Sequence, residues 1–391
     1  MTAATLRFRA MVQWQDRLLV GSYLSHTVIL LVLLTAVAVA IDTGAWVERV
    51  YDSAGAGLAG LLHVLQFLWL RAIDNGVQAM PVAAMLGFVW SEASYHLSGH
   101  RLFDRITGRT EARAARPVFI AAALLAVLQT GLDNVARPGA VRTMIEERIA
   151  FWSRYVEYRP GRPYWFAIPG ANIRATIPAV GAGRFEDVTY FAFVANRPTI
   201  VIQATGMEPV SRSGPEATAW RFTGAKLRQN ASGTPLRPAG DLELAVPIDP
   251  GWLPLAAIKP AYQSASGLAE LAVMTDLPLG APNYRSWQLQ RLTGGLALGL
   301  LCIFVVLFFR NRLERMSLPT ATALSLAAGY GGVLALRMLR VIGEHGALPP
   351  LAVASGAPVL FVAAIAVAYR RRTRHDLVSK ASEPRDHAPP R

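Results

Sequence analysis

Four groups of side chains carry spacings that chemistry can use. His96 and His100 stand four apart, which on one helix would set two imidazoles on one face, as a metal ion would accept. No third ligand follows at a spacing such as H-E-x-x-H, so the pair alone points to no metal centre. Arg337 and Arg340 are three apart, with Glu344 one turn further on. Guanidinium forks suit phosphate, unless Arg340 and Glu344 form a local pair and the arginines snorkel. Arg71 and Asp74 pose the same choice. Leu102, Phe103 and Ile106 fall on one face of a short helix while Arg101, Asp104 and Arg105 point elsewhere. That apolar face suits either a partner's groove or a lipid interface. The chain has no G-x-S-x-G elbow, and its one cysteine, Cys302, sits in an apolar run, so no nucleophile is indicated and no intramolecular disulfide is possible. It has no G-x-x-x-x-G-K-[ST] loop, so any ATP chemistry must come from another chain. These residues indicate no enzyme and no cofactor.

The elements that must position these groups are membrane helices. The chain has 391 residues, 53% hydrophobic and 17% charged, more apolar than a soluble protein of this length needs. Its net charge of +13 comes almost wholly from arginine, since Lys226, Lys259 and Lys380 are the only lysines. The arginines flank apolar runs, which reads as membrane flanks rather than a nucleic-acid surface. The first run, about 22–41, is longer than a signal-peptide core and reads as a span. Between 54 and 91, two apolar stretches are separated by Arg71, Asp74 and Asn75. Counting one span, about 72–91, keeps Arg7, Arg9, Arg17 and the arginine-rich 101–116 segment on one side. The stretch 54–70 is then an outer-surface helix or the upper part of a long tilted one. A third span covers about 117–136.

From there the texture changes. DLELAV (241–246) and WRF (220–222) alternate at strand period, TIVIQA (199–204) is β-branched, and DVTYFAFV (187–194) is apolar on both faces. Residues 138–286 read as an outer-side β-domain with its own core. Three more spans follow, about 290–309, 316–340 and 347–369, with arginines at 310–315 and 370–374. The expected fold is a membrane α-helical protein with six spans, three plus three, around an inserted β-domain and with both termini inside. The membrane halves run 1–137 and 287–375, a short helix of about 92–108 follows the second span, and 376–391 form a disordered tail.

This layout resembles the LptF/LptG (YjgP/YjgQ) family, the permeases of the lipopolysaccharide-export ABC transporter. The resemblance rests on Pro81, Ala84 and Leu86 at a helix end, on Ser91, Glu92, Ser98 and Gly99, on NVARP (134–138), and on GALPP with GAPVLF (346–350, 356–361). The segment after Gly99 is longer than the family's, Ser355 and Gly356 replace a frequent tryptophan, and the first span lacks a cation. The resemblance implies an outer β-jelly roll in the periplasm and an inner-membrane heterodimer with a sister LptF/LptG-type permease. It also implies a separate cytoplasmic LptB-like ATPase and a bitopic LptC-like partner. Glu92, Ser98, Gly99, Leu102, Phe103 and Ile106 would then couple to the ATPase, and Arg337, Arg340 and Arg71 would meet lipopolysaccharide headgroups. Phe191, Phe193, Ile200, Ile202, Trp220 and Phe222 would line an acyl path, or simply fill the domain's core. GALPP leans toward the G-like subunit.

Other readings are weaker. A lipoprotein-release or macrolide-type permease places its outer domain after one span. A sensor or scaffold with a ligand-binding β-domain needs neither six spans nor a coupling segment.

Overall fold

The computed structural model describes residues 3–381 apart from 45, 54, 56, 196, 211–218, 230–234 and 275, and the side chains of 3–13, 105, 111 and 369–381 are also outside that description. Of the tail expected to be disordered, 376–381 instead continue the last helix, and the rest, from residue 382 on, lies outside the described residues. Among the described residues six helices are long and apolar enough to cross a membrane: α1 (Ala3–Thr43), α3 (Leu58–Leu97), α5 (Glu111–Gly131) with its continuation, α9 (Tyr284–Leu313), α10 (Leu318–Glu344) and α11 (Pro350–Ala381). A short α2 (Val47–Ser53) precedes α3, and α4 (His100–Ile106) follows it.

From Leu58 on, the ambiguous 54–91 region lies in one helix. At about 1.5 Å per residue the 40 residues of α3 span about 60 Å, twice the hydrocarbon thickness, so its first half rises above the bundle. The segment expected to form one helix over 92–108 is instead broken. α3 runs on to Leu97, and Gly99 (φ 75°) turns the chain into α4. α5 also continues further than its apolar run, passing through a π-helical turn at Leu132–Ala136 into α6 (Arg137–Glu146). Pro138 has no N–H to donate, and its ring would crowd the carbonyl of Asn134 in a regular helix. The widened turn before it relieves that conflict.

The described residues of the inserted domain hold six strands: β1 (Pro163–Ile168), β2 (Ala171–Thr176), β3 (Phe185–Val194), β4 (Arg197–Val210), β5 (Ala219–Gln229) and β6 (Arg237–Ala245). Their order is β1-β2-β3-β4-β5-β6, every pair antiparallel. The described strands form one antiparallel meander, the inserted β-domain that the sequence led one to expect. The inner face is set by period-2 alternation, so Phe166, Ile173, Ile202, Trp220 and Phe222 are buried. It closes against α7 (Trp252–Ala256), α8 (Ala265–Val273) and the first turn of α9, through Tyr284 and Trp287. Asn283 caps α9 by accepting a hydrogen bond from Ser286 N at 3.1 Å.

In the bundle, α3 and α9 stand in the middle. Tyr23, Phe88, Leu125 and Cys302 pack α1, α3, α5 and α9 together, while Met85, Leu301, Val333 and Phe361 join α3 and α9 to α10 and α11. Cys302 is a buried free thiol.

Candidate functional site

At the foot of α3, Glu92 is fully buried, which a carboxylate tolerates only when paired. Arg310 of α9 donates to it from Nη2 at 2.6 Å and from Nε at 3.2 Å. Arg101 of α4 and the Tyr23 hydroxyl of α1 donate to it as well. Arg310 also reaches the Ala114 carbonyl of α5 at 3.3 Å. One carboxylate therefore ties together five helices from both membrane halves. Glu92 was expected to meet a partner directly, but in this chain it has no exposed surface to offer.

The surface there belongs to α4, whose polarity is reversed relative to a soluble helix. Two of its polar side chains turn inward: Arg101 reaches Glu92, and Asp104 accepts from Tyr95 Oη at 2.9 Å and from Arg109 Nη1 at 3.3 Å, with Arg109 paired to Asp16 of α1. Its apolar side turns out, with Leu102, Phe103 and Ile106 exposed at 63%, 43% and 75% beside Leu97. Ser98 is exposed, donates to the Tyr95 carbonyl at 3.1 Å and lies 2.5 Å from the His100 ring. His96 and His100 belong to different helices, so the one-face pairing fails, and His100 stacks on Tyr95. Among the described residues no group of three or more His, Cys, Asp or Glu is placed to hold a metal ion.

At the β-domain end a second ionic cluster lies inside. Asp42, Arg71, Asp74, Arg137, Asp133 and Arg291 form a chain of alternating charge. Arg71 pairs with Asp42 and, at 2.8 Å, with Asp74. Arg137 reaches Asp74 at 2.8 Å and Asp133 at 4.0 Å, and Arg291 reaches Asp133 at 2.8 Å. Three arginines thus face three aspartates, which makes the burial affordable. Tyr155, from the base of the β-domain, accepts from Arg71 and donates to Asp74 at 3.0 Å. Burial, with the Asp74 charge adding to it, raises the Tyr155 pKa and keeps the phenol protonated. Arg291 donates to the Ala261 carbonyl, and Asn134 of the NVARP segment accepts from Ala265 N at 3.1 Å. The cluster therefore links α1, α3, α6 and α9 to the inserted domain.

This corrects the reading of Arg71 as a headgroup ligand, because its guanidinium is buried and engaged with Asp42, Asp74, Tyr155 and Asn75. Asp42, Arg137 and Arg291 were missed, although each interrupts or borders an apolar run, the signal that singled out Arg71. Arg337 and Arg340 are exposed on α10. Neither is in an ion pair among the described residues, so the Arg340–Glu344 pair is not formed. Arg340 lies over the Trp287 ring at 5.8 Å.

The six β-domain residues do not line one trough. Ile202, Trp220 and Phe222 are completely buried in the domain core, with Ile200 packed against it. Phe191 pairs across the ladder with Val201 on the opposite face and stacks on Trp165 at 5.8 Å. Phe193 is half-buried near the end of β3, where the register shifts.

Six membrane-length helices with an inserted antiparallel sheet, clamped by ionic clusters at both ends, define a polytopic membrane protein with a soluble domain on one side. Residues 17–371 match the family described as lipopolysaccharide export system permease LptF/LptG, and the chain belongs to that family. It is thus a multi-pass inner-membrane transport permease, not an enzyme. No curated protein matches the chain.

Proposed function

We propose that the chain is one of two permease subunits of an ABC transporter that extracts lipopolysaccharide from the inner membrane. A separate LptB-like cytoplasmic ATPase drives it, a sister LptF/LptG-type permease completes it, and a bitopic LptC-like partner receives the lipid as the start of a periplasmic bridge. Both termini and α4 are then cytoplasmic, which agrees with the arginines at 17, 101, 109, 310, 312 and 315, and the β-domain is periplasmic. Arg337 and Arg340, exposed on the outer part of α10, are the cations left to meet lipid phosphates on this subunit.

The observation that carries this reading is the reversed polarity of α4. A helix with Arg101 and Asp104 engaged internally and its apolar side exposed is built to be covered by another protein. Force on α4 passes through Arg101 to Glu92, and from there to Arg310 on α9 and Tyr23 on α1. α3 carries it onward to the Arg71–Asp74 cluster under the β-domain. Glu92 is accordingly a positioning residue, while Leu102, Phe103 and Ile106 form the contact.

Co-purification tests this. Leu102→Asp with Ile106→Asp should abolish recovery of the ATPase with the permease pair while leaving the melting temperature of the permease unchanged. Undiminished recovery and normal lipopolysaccharide export in that variant would overturn the reading.

A further inference from the structure

The α4 end of the bundle carries a second feature that the transport reading does not use. A groove of about 430 Å³ lies there between α9 and α11. Its deep part is apolar, walled by Phe304 and Phe308 on α9 and by Leu360 and Ala364 on α11. Its mouth is cationic: Arg312 and Arg315 stand at the end of α9 and just beyond it. Arg312 lies over the Phe308 ring at 5.0 Å, and Asn311 Nδ2 donates to the Ala368 carbonyl at 3.0 Å, pinning the two helices together beside the opening. From Arg312 to Phe304 is eight residues of helix, about 12 Å of depth, a distance that separates headgroup from acyl chain.

Among the described residues the buried arginines Arg71, Arg137, Arg291 and Arg310 each meet an aspartate or glutamate, as does the half-buried Arg109. Arg312 and Arg315 meet none among the described residues. A cationic mouth over an apolar groove between two membrane helices is complementary to one kind of occupant. We propose that this groove is a binding site for an acidic glycerophospholipid of the leaflet on the α4 side. One acyl chain lies against Phe304, Phe308 and Leu360, and the phosphate sits between Arg312 and Arg315. The site is at the opposite end of α9 from the β-domain, apart from the lipopolysaccharide route proposed above. It requires neither that route nor the ATPase contact. Its role is to hold α9, which carries Arg310, against α11.

The test is native mass spectrometry of the full chain in its permease complex, stripped of lipid and titrated with phosphatidylglycerol or phosphatidylcholine. The wild type should retain phosphatidylglycerol, and Arg312→Gln with Arg315→Gln should lower that retention by roughly tenfold or more. Ala364→Leu, which fills the groove and leaves both arginines in place, should lower it too. Unliganded melting temperatures report whether each variant is folded, and the two variants perturb different parts of the site. Equal phosphatidylglycerol retention in the wild type and both variants would overturn the proposal. So would wild-type retention of phosphatidylcholine as strong as that of phosphatidylglycerol, or a transmembrane helix of another subunit crosslinking at Ala364.

Discussion

Glu92 and Arg310 show how burial changes what a substitution means. Were Glu92 a surface contact, alanine there would impair coupling at constant stability. Because it is fully buried against a buried Arg310, Glu92→Ala strands a guanidinium in an apolar setting, a loss on the order of 3–5 kcal/mol. Removing both charges together, as Glu92→Ala with Arg310→Met, should recover much of that loss, because neither group is then left unpaired. Reversible unfolding in micelles, run as a double-mutant cycle, measures this. Additive losses in the double variant would show that the two charges do not act as a pair. Transport should stay impaired even where stability returns, since on the route proposed above Glu92 is the link between Arg101 and α9.

Among the elements, α5 and α9 form the crossing that holds the two membrane halves together, and their approach depends on small residues. A Cβ at Gly295 would lie 2.2 Å from the Ala126 carbonyl oxygen and from the Thr130 hydroxyl, and one at Gly299 would lie 3.1 Å from the Ala122 carbonyl. Small residues that let backbones approach are a main source of helix association in lipid. Gly295→Val must push α9 off α5, an overpacking loss of typically 1–3 kcal/mol. The same displacement would disturb Arg291 and Arg310, one near each end of the helix. The expected outcome is a lower melting temperature together with weaker recovery of the sister permease; an unchanged melting temperature would show that the crossing relaxes freely. α4 follows a different logic, since Leu102 and Ile106 leave most of their surface uncovered in the lone chain.

For the whole molecule, the chain of three aspartates and three arginines makes the β-domain and the bundle one mechanical body. Beside it, Glu157 sits at the base of the β-domain. Burial, joined by the Glu344 charge and opposed by Lys259, raises its pKa above the ordinary glutamate value. A carboxyl with a raised pKa binds its proton more tightly in the folded state. Its stabilising contribution is therefore full in acid and is lost as pH rises through the folded value. Glu157→Gln should accordingly raise the melting temperature at about pH 8 and change it little near about pH 4. An equal gain at both values would show that the effect is not ionisation of Glu157.

The spans, their number, the β-texture of the insert and the arginine asymmetry were legible in the sequence, because each is a local property: length, period and flanking charge. The outward side of α4 was legible for the same reason, since Leu102, Phe103 and Ile106 share a face whatever surrounds them. Contacts between residues far apart in the chain were not. Glu92 and Arg310 are separated by 218 positions and Asp133 and Arg291 by 158, and no local pattern says which buried charge meets which. Nor does alternation reveal that Ile202 and Phe222 face a filled core while Phe191 faces away from it, since both sides of β3 carry apolar residues. The sequence alone determined a membrane permease with an inserted β-domain. Only the tertiary structure decided that Glu92 is buried while α4 carries the exposed apolar face, and that Arg71 serves the protein's own framework. The physical reason is one rule: a charge removed from water must find its partner inside, and which partner is within reach depends on the packing of distant helices.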